Sequence, residues 1–260
     1  MVEMELHGIL GDIHIPWHDE RKVSLALDVF EDQKITHLKI NGDCLDFYNI
    51  NFYGVDKTIK ATIEDEFHAG IEFLKYLRSR FPDIPIMLME GNHEFRLSRF
   101  CNKNVPGFHN ILSCQNMLQL DKYEIDWHPY NAPLEIGKSG LFVQHSPPSY
   151  SENHANTSIK KKIDQSFIWN CTHRPDFALK VGGSGKYYKA NCLGWFGDAG
   201  IIKKNQSEMP DNRKAYQFTK FHESWGCSFA LAAVYGKEHF VQQIIIENYK
   251  CAVGNILYEG

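Results

Sequence analysis

Short apolar runs alternate with amphipathic helical stretches along this chain, and most of the apolar runs end in a cluster of Gly, Asp, Asn, Cys or His. Residues 5–10, 35–40, 86–89, 141–143 and 166–169 read as strands. Between the first two, residues 20–32 place Val23, Leu27 and Phe30 at helical spacing. Residues 59–80 carry Ile63, Phe67, Ile71, Leu74 and Leu77 on one stripe, and Pro82 and Pro85 close that helix. Strands joined through helices must lie parallel, so the pattern predicts a largely parallel α/β sheet. Residues 228–235 and 240–246 are richer in β signals and predict a second sheet against the first. The polar stretches 146–156 and 203–214, holding Pro147, Pro148 and Pro210, read as long surface loops. No repeat, low-complexity tract or composition shift marks a boundary, so one domain is expected over 1–260.

The ends of the predicted strands hold the reactive residue types. They are Gly11-Asp12-Ile13-His14, Asn41-Gly42-Asp43, Gly91-Asn92-His93-Glu94, His145 and Cys171-Thr172-His173. In a parallel sheet the C-terminal strand ends share one edge, where ligands gather. Asp12 and His14 are two apart, so an extended chain would point both to one face, where carboxylate and imidazole can chelate one ion. Asp43 follows a glycine, which allows close backbone approach, and its two oxygens can bridge two cations. Asn92 offers a neutral oxygen, while the adjacent His93 must point elsewhere, toward a substrate. With His145, Cys171 and His173, the donors suffice for two ions of four protein ligands each, sharing Asp43. Such mixed ligation suits Mn, Fe, Zn or Ni rather than Ca.

The order D-x-H, G-D, G-N-H-E, a lone His after a strand and x-x-H resembles the calcineurin-like metallophosphoesterase superfamily, in particular its small prokaryotic and phage members. The resemblance runs from residue 12 to residue 173 and implies a four-layer α-β-β-α sandwich with a dinuclear site. By motif, Asp12, His14, Asp43 and His173 would hold the first divalent transition-metal ion. Asp43, Asn92, His145 and position 171 would hold the second. His93 would protonate the leaving group. Asp46, three residues after the bridging carboxylate, would orient His93 as in the phosphoprotein-phosphatase branch. Read from the sequence alone, it could equally be a turn residue or cap. Arg96 is a candidate phosphate clamp, because guanidinium matches phosphate oxygens bidentately, or else a structural ion pair.

Two departures from the family pattern matter. Where G-H-x-H is expected the chain has Trp169-Asn170-Cys171-Thr172-His173. Cys171 either ligates as thiolate, which favours Zn or Fe, or stays protonated and leaves the second metal weak. After Asp46 the chain continues Phe47-Tyr48 rather than the Arg-Gly of the protein Ser/Thr phosphatases. The expected substrate is therefore a phosphodiester of nucleotide or nucleic-acid type. The alternatives are a phosphomonoester, including phosphoproteins, or a catalytically weakened binding protein of the same fold.

Composition narrows the setting. The formal net charge of −4 does not indicate a long non-specific nucleic-acid footprint, and the run Lys160–Lys162 reads as a solvated face. No apolar run approaches the roughly 20 residues of a membrane helix, so no membrane partner is expected. The cysteine count is seven, with no C-x-x-C pair, which fits reduced thiols and a cytoplasmic setting. Trp195 and Trp225 read as packing residues, and His18 as part of a solvated turn.

Overall fold

The computed structural model describes residues 4–50, 61–161, 164–198, 200 and 224–260. The chain opens with β1 (Glu5–Leu10), α1 (Glu20–Asp32), β2 (His37–Asn41), α2 (Ile63–Arg80) and β3 (Ile86–Met89). It continues through α3 (Glu94–Asn104), a single turn α4 (Cys114–Met117), β4 (Ile125–His128), β5 (Leu134–Ile136) and β6 (Leu141–Val143). Then follow α5 (His154–Lys161), β7 (Ser166–Trp169), β8 (Asp176–Val181) and β9 (Tyr187–Cys192). The last strands are β10 (Cys227–Tyr235), β11 (Glu238–Ile246), β12 (Lys250–Val253) and β13 (Ile256–Glu259).

Local chemistry explains where the first helices start. The Asp19 side chain accepts from Lys22 N and caps α1. Thr62 and Asp65 form a reciprocal capping box at the start of α2. The stretch predicted as helical from 59 begins at Ile63, and positions 59 and 60 lie outside the described residues.

One sheet has the strand order β11-β10-β1-β2-β3-β4 and the other β5-β6-β7-β9-β8, while β12 and β13 form a separate hairpin. β1, β2, β3 and β4 are parallel, and β10 runs antiparallel to β1. The stretches 228–235 and 240–246, expected to form a second sheet, instead extend the first, while the strands at 141–143 and 166–169 lie in the second. In the other sheet β6, β7 and β9 are parallel, with antiparallel β5 and β8 at the edges.

Period-two alternation sorts the side chains into layers. Leu10, Leu38, Ile40 and Leu88 pack with Leu27, Phe30, Leu74 and Leu77 of α1 and α2. Ile9, Met89, Val143, Ile168, Ala230 and Ala232 fill the space between the sheets. Phe167, Trp169, Ala178 and Ala190 pack against Ala155 and Ile159 of α5. The result is the α-β-β-α sandwich. Its inter-sheet layer is made of small and medium side chains, which lets the ends of β1, β2, β3, β6 and β7 meet at one edge.

The polar stretch expected as a loop over 146–156 enters α5 at His154, because Ala155 and Ile159 have an apolar face to bury. The loop expected over 203–214 lies outside the described residues. No helix among the described residues is long and apolar enough to cross a membrane.

Candidate metal centre

Past their last residues, β1 and β2 remain joined by backbone hydrogen bonds. Asp12 N donates to Gly42 O at 3.0 Å, His14 N to Asp43 O at 3.0 Å, and Ile15 N to Cys44 O at 2.8 Å. The extended geometry expected for Asp12 and His14 is corrected here. Both are left-handed, at φ 51° and 60°. Asp43 (50°), Cys171 (67°) and His173 (58°) share that conformation. Each such residue costs on the order of 1–3 kcal/mol and persists only where its surroundings over-determine it. Here the inter-loop hydrogen bonds hold the backbone, and the curled chain turns successive donors inward.

Two glycines let the loops close. A Cβ on Gly91 would lie 2.1 Å from Asp43 Oδ1 and 2.2 Å from Asp43 N. One on Gly42, at φ 79°, would lie 2.4 Å from His145 Nδ1. Glu94 secures the same crossing. Its buried carboxylate accepts from Gly91 N (2.8 Å), Asp43 N (3.0 Å) and Leu45 N (2.8 Å).

The donors converge. Asp12, His14 and His173 form one group, Asp12, Asp43 and His145 a second, and His14, Asp43 and His93 a third, each with donor atoms within 4.8 Å of one another. His14 Nε2 lies 3.2 Å from His173 Nε2, and His145 Nε2 lies 3.2 Å from Asp43 Oδ2 and 2.9 Å from Asn92 Oδ1. Two ligands on a tetrahedral ion at bond lengths near 2.0–2.1 Å stand about 3.3 Å apart. His145 Nδ1 donates to Asn41 O at 2.8 Å and His14 Nδ1 to Asp46 Oδ1 at 2.8 Å, which assigns both ring protons to Nδ1 and turns both Nε2 lone pairs inward.

The charge balance also calls for cations. Asp12, Asp43 and Glu94 are at most 1% exposed. Burial, reinforced by the Asp43 charge and only partly countered by His145, pushes the Asp12 carboxyl well above the usual range. Burial and the Asp43 charge push Glu94 up to about 7. Asp12 Oδ1 and His173 Nδ1 are buried with no hydrogen-bond partner. Buried carboxylates of this kind are paired or bind metal. These residues fit divalent ions, which carry the positive charge the cage lacks.

His93 stands at the rim between two carboxylate residues. Its backbone N–H donates to Asp43 Oδ1 at 2.9 Å. Its Nδ1 donates to the Asp46 backbone carbonyl at 2.6 Å and lies 3.3 Å from the Asp46 carboxylate. Burial opposes a charge on His93, yet the Asp43 and Asp46 carboxylates outweigh it and raise its basicity. The Asp46 carboxylate itself is closer to His14 than to His93. Arg96 bonds to both partners, through Nη1 to Asp46 O (3.0 Å) and through Nη2 to His93 Nε2 (2.8 Å).

Cys171 sits beside Asn92 and His145 at the edge of the cage. Its backbone N–H donates to Asp12 Oδ2 at 2.8 Å, and its thiol donates to Asn92 Oδ1 at 3.0 Å. It belongs to none of the three donor groups. The Tyr150 hydroxyl lies 3.7 Å from its sulfur.

Several contributors escaped the sequence reading. Asn170 joins the sheets by accepting from Asn41 Nδ2 at 2.8 Å. Trp195 stacks on the His173 ring, with centroids 5.7 Å apart, and Trp225 meets it edge-on at 4.2 Å. The tryptophans are packing residues as expected, but what they pack against is a cage imidazole. His18 is half-buried against Phe73, with ring centroids 6.3 Å apart, rather than solvated.

No protein-family model and no curated protein matches the chain. Among solved structures it is similar to vacuolar protein sorting 29 of Cryptosporidium parvum, at 13% identity over 99% of each chain with a TM-score of 0.48. It is also similar to the wild-type Entamoeba histolytica protein of that name complexed with zinc, at 13% identity over 97% of this chain and 98% of that one, TM-score 0.47. A third similar structure is the Escherichia coli phosphoesterase Yfce, at 12% identity over 96% of this chain and 92% of that one, TM-score 0.37.

Proposed function

We propose that this chain is a metal-dependent phosphoesterase, with phosphodiesters of nucleotide or nucleic-acid type as its preferred substrates. The carrying observation is the set of overlapping donor groups around Asp12, His14 and Asp43, buried with a surplus of carboxylate. Asp12, His14, Asp43 and His173 would hold one divalent ion, and Asp43, Asn92, His145 and Cys171 the other. Bound there, such ions would supply Lewis acidity and lower the pKa of a coordinated water toward neutrality.

The protein groups have separable tasks. Asp46 and Asn41 hold the rings of His14 and His145 with Nε2 inward. Arg96 brings a permanent cation to the rim, where it can pair with phosphoryl oxygens. His93 stands beside it as the proton donor to the leaving oxygen, a step worth typically 10²–10⁴-fold. The absence of an Arg-Gly grip after Asp46 supports diesters over monoesters.

Turnover of a bis-aryl phosphodiester and an aryl phosphomonoester, compared at equal metal loading, tests this reading. The expected outcome is faster hydrolysis of the diester. A strong preference for the monoester would move the assignment to a phosphomonoesterase. Hydrolysis of neither by fully metal-loaded protein would leave a binding role.

A further inference from the structure

A second cluster of metal-ligating side chains lies at the other end of β1 and β2. From the pairing of β1 with β2 we infer that Glu5, His7 and His37 form a separate site for a divalent transition-metal ion such as zinc, independent of the cage at Asp43. His7 and His37 are register partners on adjacent parallel strands, and Glu5 is two residues before His7, so all three share one face of the pleat. Their donor atoms lie within 4.8 Å of one another. Asp12 is five positions after His7, on the order of 15 Å at strand rise.

The donors are chemically ready. Two imidazoles and a carboxylate are a donor set that suits a divalent transition-metal ion. His7 is 2% exposed; its Nε2–H donates to Glu5 Oε2, which leaves the Nδ1 lone pair buried without a hydrogen-bond partner. His7 Nε2 already lies 2.9 Å from Glu5 Oε2, close to the separation of two ligands on one ion.

The surroundings set the limits. The rings of His7 and His37 are stacked, with centroids 4.4 Å apart and planes at 21°, so closure on one ion needs His37 to turn about its Cβ–Cγ bond. His37 is half-buried and is bonded through Nδ1 to the Thr36 hydroxyl at 2.9 Å, a contact that rotation exchanges for the metal. Lys39 is the neighbouring cation, and it interacts with Glu5 and Asp126, whose carboxylates offset it.

Equilibrium dialysis of the full chain against zinc, repeated with cobalt to read visible d–d absorption, tests the site. Glu5→Gln and His37→Gln replace the two more exposed ligands. Each is expected to bind one equivalent less than the parent chain while phosphoester turnover stays within about twofold. Asp43→Asn is expected to lose cage metal but to keep the equivalent that His37→Gln loses. Unchanged stoichiometry and spectrum in both Glu5→Gln and His37→Gln would overturn the site. Failure of the phosphoesterase reading would show instead as no turnover by the parent chain, and would leave this one-equivalent difference in place.

Discussion

The Arg96 guanidinium donates to His93 Nε2 at 2.8 Å, while His93 Nδ1 is committed to the Asp46 carbonyl at 2.6 Å. Both nitrogens of the proposed proton donor are therefore engaged. Arg96 donating to Nε2 leaves that nitrogen without a proton, so His93 can donate to a leaving oxygen only after Arg96 moves to an incoming phosphoryl group and Nε2 takes up a proton from solvent.

Removal of either partner follows from that geometry. His93→Ala is expected to keep its metal and lose about 10²–10⁴-fold in turnover, with a smaller loss for substrates with good leaving groups. Equal losses across leaving groups would remove the proton-donor role. Arg96→Ala is expected to raise KM for both substrate classes while metal content stays unchanged. Steady-state kinetics on a series of aryl esters, with metal analysis, reads both.

Asp43→Asn should change metal content itself. Its carboxylate belongs to two of the three donor groups of the cage, and its oxygens contact both His145 and the His93 backbone. Metal analysis after dialysis is expected to show the loss of at least one equivalent, with turnover falling in parallel.

Gly91→Ala forces a Cβ into the Asp43 backbone nitrogen, with no flexible side chain able to yield. The expected cost is about 3 kcal/mol or more, together with weakened metal binding. Denaturant unfolding and metal titration of the same variant check both parts.

Glu66 gives a pH signature. It is fully buried on α2, its Oε2 has no partner, and burial followed by the Asp46 charge pushes it up to about 7. A carboxyl whose folded pKa lies above its unfolded value near 4.5 binds more protons in the folded state. The contribution of this group is then fully favourable below about pH 4.5 and is lost as pH rises through 7, by on the order of 3 kcal/mol. Glu66→Gln is expected to flatten that part of the profile. Urea unfolding at pH 5 and pH 7 measures the difference, and an equal slope in both proteins would refute it.

The sequence carries much of this architecture openly. The alternation of apolar runs and amphipathic helices gives the parallel β1-α1-β2-α2-β3 core, because periodicity and caps are local properties. The donor-bearing motifs are likewise legible, since Gly, Asp, Asn and His at strand ends have few purely structural uses together. Strands β5 and β8 are not legible, since β5 is three residues long, β8 is half-exposed, and both are edge strands defined by their pairing partners.

Tertiary structure alone decided the rest. The left-handed backbone at Asp12 and His14 depends on hydrogen bonds to a loop some thirty residues away. That distance also hides the division of labour at Asp46, whose carboxylate turns to His14 while its carbonyl holds His93. The pairing of His7 with His37 depends on the register of β1 on β2. Local chemistry determines which segments are strands and which residues can bind or react, but hydrogen-bonding partners distant in sequence fix where each lone pair and proton points.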